Sequence, residues 1–487
     1  MNININTFKL SKTFKKKGID IYSFVICKDM KKRIDRISEL LNLKKLPKKL
    51  FDKNTYNLDN DFQKILYLDN FEIVFTGLNK KEECSSSELF NVYGRLGNKF
   101  TDYESHKNRN ILVYLVNNDI DSIKNQVISY ILGMYKFAKY KTDLDKKNIT
   151  TYFYHPKKKF HKIIEDAIQI ATVQNEIRTI TNMPANILNS SEYSKYIKNH
   201  LPKDVKMTVI NQKKLASMGF NLILAVNQGS KNEAMMIVLE YHNAPKNEKP
   251  VVLIGKGVMF DTGGYNIKGG DFSDMKEDKA GSAIVYGIFK LLSEFKLKGN
   301  FIGLLPIVEN MVDANSTRPG DVVVAYNKKT VEIIDTDAEG RLILADALSY
   351  AEKFKPKLCI DIATLTGQAA SIFGNKSTVI MGNNNKAIQN MIKAGLENNE
   401  KIWELPMWKE YLHYTKSEIA DYKNYSYDTS AGTITAGAFL YNFVPKECDW
   451  LHLDIAGVDY LYYDKNNRNM GATSVILRSV YHFLENL

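Results

Sequence analysis

"PVVLIGKGVMFD", residues 250–261, is an apolar run that ends in an acid and is followed, after Thr262, by Gly263-Gly264. A short apolar run closed by a glycine turn reads as a buried strand. Just beyond it, "AGSAIVYGIFKLLSEFK" (280–296) places apolar residues at helical spacing. Working outward, "FIGLLPIV" (301–308) reads as a strand and "GDVVVAYNKKTVEIID" (320–335) as a hairpin around Asn327. "LILADALSYAEKF" (342–354) reads as an amphipathic helix and "KLCIDIATLTG" (357–367) as another strand. This alternation predicts an α/β domain on a mostly parallel or mixed sheet, with its site at the carboxyl ends of strands.

Towards the N-terminus, "IDIYSFVIC" (19–27), "FEIVFTGL" (71–78) and "NILVYLV" (110–116) have the look of strands, with helical stretches between them. Residues 141–159, "KTDLDKKNITTYFYHPKKK", break the pattern with polar clusters and a proline, and a long helical segment follows. The expectation is an α/β protein of two domains. Residues 1–160 form a smaller N-terminal α/β domain with its linker. Residues 161–487 form a larger C-terminal α/β catalytic domain, with a central mixed sheet flanked by helices. A chain of 487 residues is too long for one core.

Composition is that of a globular protein, 44% hydrophobic and 25% charged. No apolar run approaches the roughly 18–20 residues that span a bilayer. The first eighteen residues lack the apolar core and small-residue cleavage site of a secretory signal. Cys27, Cys84, Cys359 and Cys448 are scattered without a CxxC pair, which suits reduced thiols and a cytoplasmic setting. Residues 1–50 hold fourteen Lys/Arg against four Asp/Glu. Such an arm can contact nucleic acid, but no arginine-rich or aromatic-interleaved pattern accompanies it, and a solvated face is the plainer reading.

HExxH, GxxxxGK[ST] and GxSxG are all absent, and no two of the eight histidines are four apart. Any metal must then be held mainly by carboxylates. Asp261 follows one strand, Asp278 precedes a helix, and Asp337 and Glu339 follow "VEIID". Singly, each reads as a cap or turn residue. Converging at one sheet edge, they would resist joint ionisation unless cations were shared among them.

"IGKGVMFDTGGYNIKGGDFSDMKEDKAGSA" (254–283) followed by "DTDAEGRLILADAL" (335–348) resembles the paired signature of the leucyl aminopeptidase family, the cytosol aminopeptidases. The resemblance continues through "TNMPANIL", "MGFNLILAVNQGS", "ENMVDANSTRPGDVV", "ATLTG", "SEIADYKN", "AGTITAGAFL" and "HLDIAGV", covering about residues 165–475. It implies two divalent metal ions per subunit. Lys256, Asp261, Asp278 and Glu339 would hold the tighter ion, and Asp261, Asp337 and Glu339 the exchangeable one. Zinc is the expected metal, with manganese or cobalt acceptable at the exchangeable position. A lysine ligand must be neutral, although free lysine titrates near pH ~10.4. The resemblance further implies Lys268 as oxyanion stabiliser and Arg341 as holder of a bicarbonate general base. Met275, Thr364, Leu365, Gly367, Ala456 and Asp459 would line the pocket for the N-terminal side chain.

The implied activity is release of leucine and other, mainly apolar, residues from peptides with a free N-terminus, in a homohexamer built as a dimer of trimers. Asp459 is read as widening acceptance towards basic residues. The alternative is a catalytically weak relative with a structural or nucleic-acid-binding role. Three positions depart from the signature: Asp335 replaces an asparagine, Lys279 a methionine, and the 268–278 loop is one residue shorter.

Overall fold

The computed structural model describes residues 6–13, 18–26, 37, 39, 41, 62–68, 71–77, 85–102, 108–117, 119–142, 148–270, 272–461 and 470–487. Most of the basic first fifty residues lie outside this set. The described residues fall into two compact units that divide between Thr172 and Val173.

The strands of the first unit are β1 (Asn6–Leu10), β2 (Ile21–Ile26), β3 (Phe62–Leu68), β4 (Phe71–Gly77), β5 (Arg109–Tyr114) and β6 (Ile149–Tyr154). They form an open sheet with the order β1-β6-β5-β2-β4-β3. All neighbours pair in parallel except the edge pair β3–β4. Helices α1 (Ser86–Asp102) and α2 (Ile120–Gly133) supply connections. Strand β6 corrects the sequence reading, which takes 141–159 as a break. "ITTYFY" is a β-branched and aromatic run that seats Thr151 and Phe153 in the core, and its polar flanks mask it. The long helix expected after it is α3 (His161–Asn182), and the division between units falls inside it.

The second unit is built on a nine-stranded mixed sheet. In chain order its strands are β7 (Lys206–Asn211), β8 (Met235–His242), β9 (Val251–Gly255), β10 (Gly257–Asp261), β11 (Asn300–Asn310), β14 (Leu358–Ala363), β15 (Thr378–Gly382), β16 (Ile402–Glu404) and β18 (Asp449–Asp454). They are ordered β16-β15-β18-β14-β9-β11-β8-β7, with β10 paired to β11. The expected hairpin is present as β12 (Val322–Val324) and β13 (Thr330–Glu332), and β17 (Tyr422–Lys423) extends it. Strand β9 lies parallel between β11 and β14, and β14 lies parallel to β18. The carboxyl ends of β9, β14 and β18 therefore open on the same edge.

Two details differ from the sequence reading. Residues 250–261 form two strands, because the chain steps at Lys256 and β10 continues only against β11, with a register shift between Val258 and Asp261. Helix α4 (Ala280–Glu294) forms as expected, but the next helix, α5 (Gly340–Ala351), is not amphipathic: all its residues are buried. Its internal acid is tolerated because backbone donors satisfy it. Asp346 accepts hydrogen bonds from Tyr326 N (2.8 Å), Leu222 N (3.0 Å) and Ile223 N (3.1 Å), so the carboxyl is satisfied inside the core. Leu342, Leu344, Leu348, Phe439 and Trp450 belong to the same hydrophobic core. No helix among the described residues is long and apolar enough to cross a membrane.

Candidate metal centre and active site

The step at Lys256 is held by its own peptide groups, which bond Ile362 O (3.0 Å) and Ser282 N (2.8 Å). Close approach from two sides requires glycine. A Cβ at Gly281 would lie 2.1 Å from Ile362 O, and one at Gly340 would lie 2.7 Å from Lys256 Cε. With those positions bare, the Lys256 ammonium reaches Asp278 Oδ1 (2.7 Å), Glu339 Oε1 (2.8 Å) and Thr364 O (2.7 Å). On the other side Lys268 Nζ pairs with Asp261 Oδ2 (2.7 Å) and Asp337 Oδ1 (2.5 Å). Oxygens of Asp261, Asp337 and Glu339 lie within 4.8 Å of one another.

Four carboxylates thus face two ammonium groups. Burial, then the charges of Glu339 and Asp278, push Asp261 well above the usual carboxylate range. Burial also raises Asp278 against the pull of Lys256, and it lifts Asp337 to about 6 with help from Glu339. Burial alone would raise Glu339, but Lys256 and Lys268 hold it below its ordinary value. Burial alone would lower both lysines, but the surrounding carboxylates hold them above theirs. Asp278 Oδ2 is buried without a hydrogen-bond partner. An excess of clustered carboxylate oxygens, one of them orphaned, plus one amine nitrogen is a donor set that fits divalent zinc or manganese.

Neutral groups brace these ligands. Asn310, at the end of β11, donates Nδ2 to Asp261 Oδ1 (2.8 Å) and Thr336 O (3.0 Å), while Gly263 N donates to the same Asp261 oxygen (2.9 Å). Thr336 Oγ1 donates to Gly263 O (2.6 Å) and accepts from Asn266 N (2.8 Å), tying the two acidic loops together. Asn424 holds the 334–338 turn: its Oδ1 accepts from Ile334 N (2.8 Å) and Asp335 N (3.3 Å), and its Nδ2 donates to Asp335 O (2.7 Å) and Ala338 O (3.3 Å). Asp335 Oδ1 accepts from Asp337 N (2.8 Å), a bond an asparagine would make equally well.

Arg341 is buried, donates Nη1 to Asn424 O (2.8 Å) and lies 5.7 Å from the Tyr425 ring centroid. Its Nε has no hydrogen-bond partner, and no carboxylate salt-bridges the guanidinium among the described residues. Burial pulls this guanidinium below its ordinary range, although Glu339 and Asp335 oppose the shift.

Of the expected pocket residues, Thr364 and Asp459 stand beside Asp278. Thr364 Oγ1 donates to Asp278 Oδ1 (2.7 Å). Leu365 N (3.0 Å) and Ala456 N (3.1 Å) share Asp454 Oδ1, a residue that sequence reasoning does not single out. Met275 opens the 3-10 turn that ends at Lys279. Space around Gly367 is open, since a Cβ there would meet nothing within 4 Å. Asp459 is buried beside Glu277 and Asp278, and burial followed by those charges raises its carboxyl. Lys279 turns away from the ligands and donates to Met183 O (3.0 Å) and Lys276 O. Asn310, Asn424 and Asp454 are what the sequence reading misses. The one available signal is a polar residue closing a buried strand, which is buried throughout for Asn310 and from Trp450 onward for Asp454.

The cytosol aminopeptidase family, catalytic domain, matches residues 175–481. A probable cytosol aminopeptidase of Buchnera aphidicola subsp. Baizongia pistaciae is 33% identical over 504 residues, covering 97% of each chain. The probable cytosol aminopeptidase of Thioalkalivibrio sulfidiphilus is 41% identical over 317 residues, 63% of this chain and 62% of that protein, so its match spans less than two thirds of that relative. Among solved structures, the cytosol aminopeptidase of Coxiella burnetii superposes with a TM-score of 0.80 at 28% identity, covering 99% of each chain. The bottromycin maturation enzyme BotP, in complex with Mn, shares the fold with a TM-score of 0.83 at 23% identity, over 96% of this chain and 99% of that one.

Proposed function

Because this chain belongs to the cytosol aminopeptidase family, we propose that it is a metal-dependent aminopeptidase releasing N-terminal residues, leucine and other mainly apolar ones, from peptides. The observation that carries this reading is the cluster of four carboxylates around Lys256 and Lys268 within the matched region. Lys256, Asp261, Asp278 and Glu339 would hold one ion, and Asp261, Asp337 and Glu339 a second, with zinc expected and manganese or cobalt acceptable at the latter. Bound there, two divalent ions supply an activated water and a Lewis acid, and they anchor the free α-amine of the substrate.

The protein's own groups do the rest. The Lys268 ammonium stands at the open side of the cluster, where positive charge stabilises an oxyanion formed from the scissile carbonyl. The Arg341 guanidinium, buried without a carboxylate partner, suits a small planar anion such as bicarbonate, which as general base would accept the proton from the attacking water. Met275, Thr364, Leu365, Gly367, Ala456 and Asp459 would receive the first side chain beside Asp278. A cytoplasmic homohexamer, a dimer of trimers, goes with this reading. A nucleic-acid role would rest on the first fifty residues alone and has no support from the centre.

Metal analysis together with hydrolysis of an amino-acid aminocoumarin panel, arginyl and leucyl included, tests the proposal. The expected result is up to two ions per chain and cleavage of leucyl substrate, with Asp337→Ala losing one ion and activity. Less than one ion per chain after metal supplementation, with no substrate cleaved, would sink it.

A further inference from the structure

Exposure rises in one direction across the centre. The side chains of Lys256, Asp278 and Glu339 are 4%, 7% and 3% exposed, whereas Lys268 and Asp337 are 22% and 34% exposed. A peptide threaded N-terminus first therefore places its first residue at the buried end and leaves past Asp337. Two residues before Asp337 on the same loop stands Asp335, half-buried. Its Oδ1 is committed to Asp337 N, and its Oδ2 makes no hydrogen bond among the described residues. Asn424 bonds both peptide groups of Asp335, and residues 425–427 follow it directly in the chain. There the rings of Tyr425 and Tyr427 meet edge to face, 5.0 Å apart, with Tyr427 70% exposed. The Arg341 guanidinium already lies over Tyr425, so this pair accepts a cation on one side. The Asp335 charge reaches Tyr427, adding to burial in raising its hydroxyl.

A free carboxylate oxygen beside an exposed aromatic face is a receptor for a cationic side chain. The turn does not need the charge, since asparagine would make the same bond to Asp337 N. We infer that Asp335 and Tyr427 receive a lysine or arginine side chain on the substrate residue just after the cleaved bond, giving this enzyme a preference for a basic second residue. The inference rests on the aminopeptidase reading above.

Tripeptides Leu-Lys-Ala, Leu-Ala-Ala and Leu-Glu-Ala separate the second residue from the first. The wild type should favour lysine over alanine by about five- to tenfold in kcat/KM, the size of an exposed ion pair with a cation–π contact, expressed mainly in KM and shrinking as salt rises. Glutamate should be the poorest. Asp335→Asn should bring the lysine-to-alanine ratio to about one, and Tyr427→Ala should reduce it in part. Equal rates for the three peptides in the wild type, or an unchanged ratio in Asp335→Asn, would overturn the inference while leaving the aminopeptidase reading intact. Failure to cleave any of the three would overturn both.

Discussion

Replacing Asn424 with alanine should loosen the turn that carries Asp337 and Glu339 without touching either acid. The side chain makes four bonds to that turn, two of them short at 2.8 and 2.7 Å, and it is 1% exposed. Each good bond contributes about 1 kcal/mol, and each buried peptide group left unpaired costs about 1–3 kcal/mol. The turn should therefore lose about 2–4 kcal/mol of local stability. Groups that orient metal ligands typically account for about 10–100-fold in metal affinity. Chelator competition measures the affinity, and hydrogen exchange of residues 332–338 measures the local stability. A second variant, Asn424→Asp, would keep the acceptor but turn the donor into an acceptor facing two carbonyls, so it should be at least as damaging. If Asn424→Ala keeps wild-type metal affinity and wild-type exchange protection, the bracing role is wrong.

Two further predictions concern catalysis and pH. Lys268→Ala should lower kcat/KM on leucyl aminocoumarin by about 100–1,000-fold, the usual cost of losing an oxyanion donor, and a loss below tenfold would remove that role from Lys268. His452 is buried with Nδ1 2.5 Å from Asp361 Oδ1. Burial would lower this imidazole, but the Asp361 charge raises it overall. Its folded value thus exceeds the unfolded ~6.5, so its stabilising contribution is complete below about pH 6.5 and is lost as pH climbs through the folded value. Urea titrations across pH 5 to 9 should show stability falling above 6.5 in the wild type and a flatter profile in His452→Gln. The same slope in both would refute the assignment.

How much is legible in the sequence depends on whether a residue's local pattern and its tertiary role agree. Strands such as β11 and β14 are apolar enough to read directly, and the hairpin around Asn327 carries its own turn residues. Strand β6 is hidden because lysine-rich flanks outweigh six residues of strand pattern. The step at Lys256 is hidden because nothing local distinguishes a lysine that interrupts a strand from one that lies on it. The four acids are visible at element ends, but each alone reads as a cap, and only the extended resemblance joins them into a set. Asn310 and Asn424 are beyond reach, since an amide that braces a ligand has the same neighbours in sequence as one in any turn. Asp335 reads differently with the fold in hand: the hydrogen bond it makes is ordinary, and its charge is the part that needs a purpose.

Helix α5 has no solvent face, and its first turn runs straight into Glu339 and Arg341. That half of the centre cannot open unless the core opens with it, so its fluctuations are tied to global unfolding rather than to loop motion. The 263–268 loop, by contrast, carries Tyr265 and Ile267 with their side chains 46% and 62% exposed. Variation that retunes the site should therefore accumulate around 265–270 and 425–431. Changes in 337–346 are screened by folding before they are ever tested for activity.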